Sequence, residues 1–299
     1  MNFKLIFFAL IVGIAFACKK DDPEPPGNNT PDGPQLIFKI KLDSTQARLD
    51  AFGDPINIPS GHDAQSPRFN EVSLHYIELA PNKHTQLSDG EIVYQGATKP
   101  HGGANPDPAD FDKSIKVGDG DVFYSANLKD VDPGDYKWAR VSLIYQNYDV
   151  DFRMDDPQNP QNQLKIVGTL ASFVGYNTYI NSYIINSESV QVSGNKLQGY
   201  WGWEAASQVI EGQAPVTTVP NPLHSSSQIP PGSCVVTGEF VQPFTITGDE
   251  TEDVIVELSF SIQNSFEWSD NLDNDIFEPL DGDTVVDMGI RGLIPSQVQ

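Results

Sequence analysis

Residues 254–262 read Val254-Ile-Val-Glu-Leu-Ser-Phe-Ser-Ile262, and every second side chain from Val254 onward is apolar. A period of two places these side chains on one face of an extended chain and the polar ones on the other face, which indicates a β-strand with one buried face. Three further stretches share this pattern, with apolar residues at Leu36, Phe38, Ile40 and Leu42, at Val72, Leu74 and Tyr76, and at Ala139, Val141, Leu143 and Tyr145.

The rest of the chain supports an all-β fold. No long stretch has apolar residues at helical spacing, and 24 glycines and 23 prolines supply many turns. Short helices could form at 45–52 and 204–210. We predict an antiparallel β-sandwich with long loops at 95–121, 151–163 and 211–233.

The N-terminus has the layout of a secretory signal. Lys4 precedes an apolar run at 5–16 that is too short to span a bilayer, and Ala15-Phe16-Ala17 fits a small-x-small cleavage site. Because Cys18 follows directly, the segment resembles a bacterial lipoprotein signal, and we predict lipidation of Cys18. The alternative is an ordinary secretory signal that leaves Cys18 as a plain thiol.

These features divide the chain into a signal peptide at 1–17, a lipidated cysteine and flexible linker at 18–34, and a β-sandwich domain at 35–299. The last is one sandwich or two packed sub-sandwiches. The linker has five prolines and no large apolar residue, so it reaches roughly 50 Å at about 3.1 Å per residue. Its start, Lys19-Lys20-Asp21-Asp22, resembles a signal for the outer face of some Gram-negative outer membranes. We expect a lipid-anchored outer-membrane protein at the cell surface, with the periplasmic face as the alternative.

Charge limits the partners. The chain carries a net charge of −23, and removal of residues 1–17 makes it −24 because that segment contains one basic residue, Lys4, and no acidic one. The small number of basic side chains relative to acidic ones argues against binding of nucleic acid or anionic lipid headgroups. Cys234 is the only cysteine besides Cys18, which excludes a cysteine-rich zinc site and predicts a buried, unreactive thiol.

The densest acidic segment is a candidate calcium site. Calcium takes six to eight oxygen ligands, and carboxylates and amides recur here at alternate positions. Ile276 stands where an EF-hand loop has glycine, so the alternative is a solvated acidic turn. The candidate ligands are Asp270, Asn271, Asp273, Asp275 and Glu278.

The histidines give a second metal hypothesis. Two or three of them could converge on copper, although no HExxH or HxH motif is present. The alternative is that each is a surface or hydrogen-bonding residue. The candidates are His62, His75, His84 and His101.

The segment Tyr200-Trp201-Gly202-Trp203 is a candidate stacking site. On a strand, Trp201 and Trp203 share one face and Tyr200 takes the other. Exposed rings could stack on sugars, and buried rings would be ordinary core.

Several short motifs resemble those of the periplasmic copper-binding family found beside methanobactin loci. Pro133-Gly134-Asp135-Tyr136 is similar to its PGxY turn, Tyr200-Trp201-Gly202-Trp203 to its YWxW segment, and Phe266-Glu267-Trp268 to the end of a late strand. The resemblance implies a β-rich extracytoplasmic protein that binds copper, without placing the copper ligands. The chain also resembles uncharacterised β-rich cell-surface lipoproteins.

The function expected from these features is binding rather than catalysis. GxSxG, P-loop and dinucleotide-binding motifs are missing from the sequence. We expect a lipid-anchored extracytoplasmic binding or structural module, anchored to the membrane through its lipid, with a metal ion, a glycan or an outer-membrane protein as its candidate partners. The alternatives are a metal-binding lipoprotein for Cu or Ca and a glycan-binding surface lipoprotein.

Overall fold

A computed structural model describes residues 33–102, 107–214 and 234–298. These residues form strands and two short 3₁₀ turns, with no α-helix, so the predicted all-β class is confirmed. The signal peptide, Cys18 and most of the linker lie outside them. The strands are β1 (Gln35–Asp43), β2 (His62–Gln65), β3 (Arg68–Ala80), β4 (Glu91–Gln95), β5 (Ala109–Asp110), β6 (Val122–Asn127), β7 (Gly134–Asp156), β8 (Asn159–Phe173), β9 (Asn177–Ile185), β10 (Glu188–Leu197), β11 (Tyr200–Ala205), β12 (Gln208–Gln213), β13 (Cys234–Ile246), β14 (Val254–Ser261), β15 (Phe266–Ser269), β16 (Thr284–Met288) and β17 (Gly292–Val298).

The 23-residue strand β7 organises the fold. Along one edge it pairs with β3, and along the other it pairs first with β13 and then with β8. The resulting large sheet has the order β12-β11-β8-β7-β3-β4, with β13 beside β7. Three smaller sheets lie around it: β17-β14-β1-β6, β10-β9-β5 and β16-β15-β2.

The first half of β7 covers the largest core. Leu36, Phe38 and Ile40 of β1 are fully buried there, together with Val256 and Leu258 of β14. The period of two in both strands therefore marks the buried face, as predicted. The pairing of β1 with β14 is parallel, an arrangement that needs a long connection, and the two strands lie far apart in the chain.

The second half of β7 carries a core on each face of the large sheet. On one face Tyr145 packs with Phe173 and Tyr183. On the opposite face Tyr148 packs against Phe266 of β15. Strands β8 and β11 are thus covered on both sides, and each side holds a cleft.

Three expectations were wrong. Residues 45–52 form bends and a bridge instead of a helix, and 204–210 form the β11–β12 hairpin turn and its flanking strand residues. The predicted loop at 151–163 is a two-stranded arm of β7 and β8 that turns at Pro157-Gln158. Phe152 and Met154 continue the alternation of β7 into the base of the arm, but residues 155–163 are all polar or proline, so no apolar alternation there reveals the strands.

A further expectation, the burial of Cys234, is confirmed. Cys234 begins β13 with 2 % exposure, and burial raises the pKa of its thiol to about 12. The PGxY turn leads into β7, where the Tyr136 hydroxyl donates to the carbonyl of Asp132 at 2.6 Å. The described ranges contain no helix that is long and apolar enough to cross a membrane.

Candidate functional site

The β11–β12 hairpin presents two tryptophans to one cleft. Trp201 and Trp203 lie on the same face of β11, as the alternation predicts, and both are half-buried. They face the small sheet β16-β15-β2 across an apolar space of about 720 Å³. The volume is in the range of small-molecule sites.

Two glycines on the neighbouring strands make room for the indoles. An added Cβ at Gly168 of β8 would lie 2.4 Å from Cζ2 of Trp203, and one at Gly212 of β12 would lie 2.3 Å from Cζ2 of Trp201. Each ring therefore rests over a glycine backbone, as aromatic side chains do when they cover glycines in sheets. Any larger residue at Gly168 or Gly212 would push the indole away.

The floor, walls and rim of the cleft differ in exposure. The floor includes Leu170 and Phe266, which are fully buried. Phe277 forms part of a wall, with its ring centroid 6.2 Å from that of Trp203. The rim carries two apolar residues that are open to solvent, Ile210 at 60 % and Leu280 at 72 % exposure. Exposed apolar side chains beside a concave apolar surface are typical of binding sites.

Few polar groups of the described residues reach this cleft. They are contributed by Gln213, Asp283 and Thr284. Asp283 is already used, because one carboxylate oxygen accepts the backbone N–H of Asn271 at 2.9 Å and the other accepts that of Glu278 at 2.7 Å. The cleft therefore offers apolar contact with little hydrogen bonding.

Tyr200 does not belong to this site. It lies on the opposite face of β11 with 3 % exposure, where its ring packs against Phe173 and Tyr183 and its hydroxyl donates to Glu211. Of the three predicted stacking residues, only the two tryptophans share a face that a ligand can reach.

The acidic segment folds as a turn held by its own hydrogen bonds. Asp270 accepts the backbone N–H groups of Leu272, Asn274 and Asp275 at 2.8–3.2 Å. Burial works to raise the pKa of Asp270, but these bonds lower it below its usual value. Two other candidate ligands, Asp273 and Asp275, are exposed.

Glu278 closes the turn from inside. Its carboxylate accepts the side-chain amides of Gln163 at 2.5 Å and Asn274 at 2.7 Å, and its side chain is almost fully buried. Donors of the protein thus occupy the oxygens that a calcium ion would need. The segment contributes instead to the apolar cleft through Phe277 and Leu280.

The four candidate copper ligands lie in separate surroundings. His62 of β2 places Nδ1 2.5 Å from Oε1 of Glu267. His75 is buried in β3, where burial lowers its pKa to about 4. His84 is exposed after β3, and the exposed His101 ring lies 5.0 Å from that of Tyr179. In 33–102, 107–214 and 234–298, no three His, Cys, Asp or Glu residues are grouped to hold a metal ion.

A buried ionic cluster holds β15 in place beneath the cleft. Glu267 contacts Arg48 and His62 and lies 3.6 Å from Arg291. Burial works to raise the pKa of Glu267, but the hydrogen bonds from His62 and Arg48 lower it below its usual value. Because Phe266 precedes Glu267 in β15, this cluster helps to fix Phe266 in the floor of the cleft.

Sequence reasoning missed the second wall of the cleft. Phe277 and Leu280 stand out as apolar residues in an acidic segment, which is the signal that could have identified them. Gly168 and Gly212 gave no such signal, because the register that brings them under the tryptophans is set by pairing between strands.

Comparison with known proteins gives no relative: no protein-family model, curated protein or solved structure matches this chain. The resemblance to the methanobactin-associated copper-binding family stays a prediction, as do the calcium and copper hypotheses.

Proposed function

We propose that this protein is a lipid-anchored binding module outside the cytoplasm, at the outer membrane, and that it holds an apolar ligand between Trp201 and Trp203 and the small sheet. The apolar cleft is the observation that carries the proposal. The signal-like sequence before Cys18 supports lipidation of this residue as the anchor. The linker that follows would let the domain extend away from the membrane.

The composition of the cleft favours an acyl chain or an apolar ring system over a sugar. A sugar carries a hydroxyl on most of its carbons, and burial of hydroxyls without partners costs free energy. Among the residues that the structure describes, this cleft has few free polar groups to bond with those hydroxyls, since Asp283 is occupied. An apolar ligand that buries about 200 Å² of its surface gains roughly 5 kcal/mol.

The test is a titration with N-phenyl-1-naphthylamine, a neutral dye that fluoresces in apolar sites. We would use the mature chain with Cys18→Ser, because no attached acyl group can then compete for the dye. We expect saturable binding, and Trp203→Ala should weaken it at least about tenfold because the ring forms one wall.

The matched control is Trp138→Phe. Trp138 lies on β7 near Lys83, whose Nζ is 5.7 Å from its ring centroid, and it does not line the cleft. This variant should bind the dye as the parent does. Equal binding by the parent and Trp203→Ala, or no saturable binding at all, would refute the proposal.

A further inference from the structure

A second cleft lies on the opposite face of the large sheet and has the opposite chemistry. Its volume is about 820 Å³, and most of its lining is polar. The same strand serves both clefts: Thr169 of β8 faces this one, and Leu170, the next residue, faces the apolar one. The alternation of β8 thus divides the two sites.

The floor of this polar cleft is a row of side chains at alternate positions of β7. Tyr145, Asn147 and Asp149 point the same way, and the first two are buried. Strand β3 contributes Asn70 and Glu71 from one side. Polar residues on a covered strand face require partners, and here they find them in one another.

The hydrogen bonds of the floor fix these groups in place. The side-chain amide of Asn70 donates to Oδ1 of Asn147 at 2.8 Å and to Oδ1 of Asp149 at 3.2 Å. The Thr169 hydroxyl donates to the same Asp149 oxygen at 2.8 Å. The second oxygen, Oδ2, makes no hydrogen bond within the described part of the chain, so it is free to accept from a ligand.

A second carboxylate lies on the wall formed by β11. Glu204 is 4 % exposed; it accepts the side-chain amide of Asn186 at 3.1 Å and the backbone N–H of Ser207 at 2.7 Å. Asn186 stands in the β9–β10 turn, and Ser182 and Ile184 precede it on β9. This wall therefore combines fixed acceptors, amide donors and an exposed apolar side chain.

One cation completes the lining. Lys116 donates to the carbonyls of Phe111 at 3.0 Å and Ser114 at 3.4 Å, and its Nζ lies 4.0 Å from the centre of the Phe111 ring. Three carboxylates, those of Glu71, Asp149 and Glu204, share the lining with this single ammonium. An anionic ligand would thus meet net repulsion.

We propose that the polar cleft binds a neutral oligosaccharide. The free Oδ2 of Asp149 accepts hydroxyl donors, side-chain amides both donate and accept, and together these groups match a ligand that carries many hydroxyls. The exposed side chains of Val167 and Ile184 supply apolar contacts for the C–H faces of the sugar rings. This site is separate from the tryptophan cleft and does not depend on its function.

The test is binding of the full chain to short neutral oligosaccharides of glucose, xylose, mannose and N-acetylglucosamine. An array would select the best ligand, and calorimetry would measure it. Oligogalacturonate and spermidine serve as anionic and cationic probes. We expect at least one neutral oligosaccharide to bind, and Asp149→Ala and Asn70→Ala each to weaken it at least tenfold.

The matched control is Asp135→Ala. Asp135 also lies on β7 and also accepts a threonine hydroxyl, from Thr245 at 2.7 Å, but it is remote from the cleft lining. This variant should bind the sugar normally. Asn70 is exposed, so its variant reports on the site even if Asp149→Ala unfolds. The inference fails if no neutral sugar binds, if only a charged probe binds, or if both cleft variants bind as tightly as Asp135→Ala.

Discussion

Single residues decide which rings face a ligand. Alternation along β11 predicted that Trp201 and Trp203 share a face opposite Tyr200, and the structure confirms it. Alternation could not predict which face is open, because that depends on what packs against it. Gly168 and Gly212 seat the two indoles from other strands, and their pairing with β11 is a tertiary property.

His75 should make stability depend on pH. Burial lowers its pKa from 6.5 to about 4, so between these values the unfolded chain binds a proton that the folded chain does not. Stability therefore falls as pH falls through this window, by about 2 kcal/mol between pH 7 and 4.5.

Urea unfolding at pH 7 and 4.5 measures this contribution. His75→Gln should lose less stability on acidification than the parent, by about the same 2 kcal/mol. The exposed His84, changed to Gln, is the control and should behave as the parent does. An identical loss in His75→Gln and the parent would show that His75 does not titrate in this way.

At the scale of elements, a buried ion pair fastens the turn between β3 and β4. Glu78 and Arg140 are both fully buried, with Oε2 and Nη1 3.6 Å apart. Glu78 accepts the backbone N–H groups of Ser88 and Gly90, and Arg140 donates to carbonyls of the same turn, including that of Gln86. The pair thus satisfies backbone groups of the turn from beneath it.

Removal of one partner should be costly. Arg140→Met leaves the Glu78 carboxylate buried without its cation, which should lower the free energy of unfolding by about 3–5 kcal/mol. The double variant Glu78→Gln with Arg140→Met should recover part of this loss, because no charge is then left buried.

The surface pair Lys165–Asp151 provides the control for this measurement. Its Nζ and Oδ2 are 2.8 Å apart, but Lys165 is 65 % exposed, so Lys165→Met should cost at most about 1 kcal/mol. If chemical denaturation gives Arg140→Met and Lys165→Met the same small loss, the buried pair does not have this role.

The strands that the sequence predicts best are those with one face buried in the core. β1 and β14 lie on the largest core, and their apolar positions at Leu36 and Val256 repeat with period two. Both faces of the β7–β8 arm are largely exposed to solvent, and residues 155–163 are all polar or proline. The sequence therefore predicted a loop at 151–163. The polar cleft was missed for a related reason: Asn70, Asp149 and Glu204 come from three strands, and only their pairing brings them together.

For the whole molecule, the sequence predicts a lipid anchor at Cys18. This residue lies outside the described part of the chain. We expect Cys18→Ser to abolish incorporation of labelled palmitate and to release the protein from the membrane fraction. Cys234→Ala is the control and should keep the label, because the Cys234 thiol is buried. Unchanged membrane retention of Cys18→Ser would contradict the anchor.

The proposed function requires the tryptophan cleft, assembled from strands far apart in the chain, to bind an apolar ligand. A charged residue placed on the rim of the cleft tests this requirement. Ile210 lines the cleft and is 60 % exposed. Leu197 is similarly exposed, at 65 %, but does not line the cleft, so it provides the control. In a titration with N-phenyl-1-naphthylamine, Ile210→Glu should weaken binding at least about tenfold while Leu197→Glu binds as the parent does. Equal affinities of these two variants would show that the dye does not bind in the tryptophan cleft.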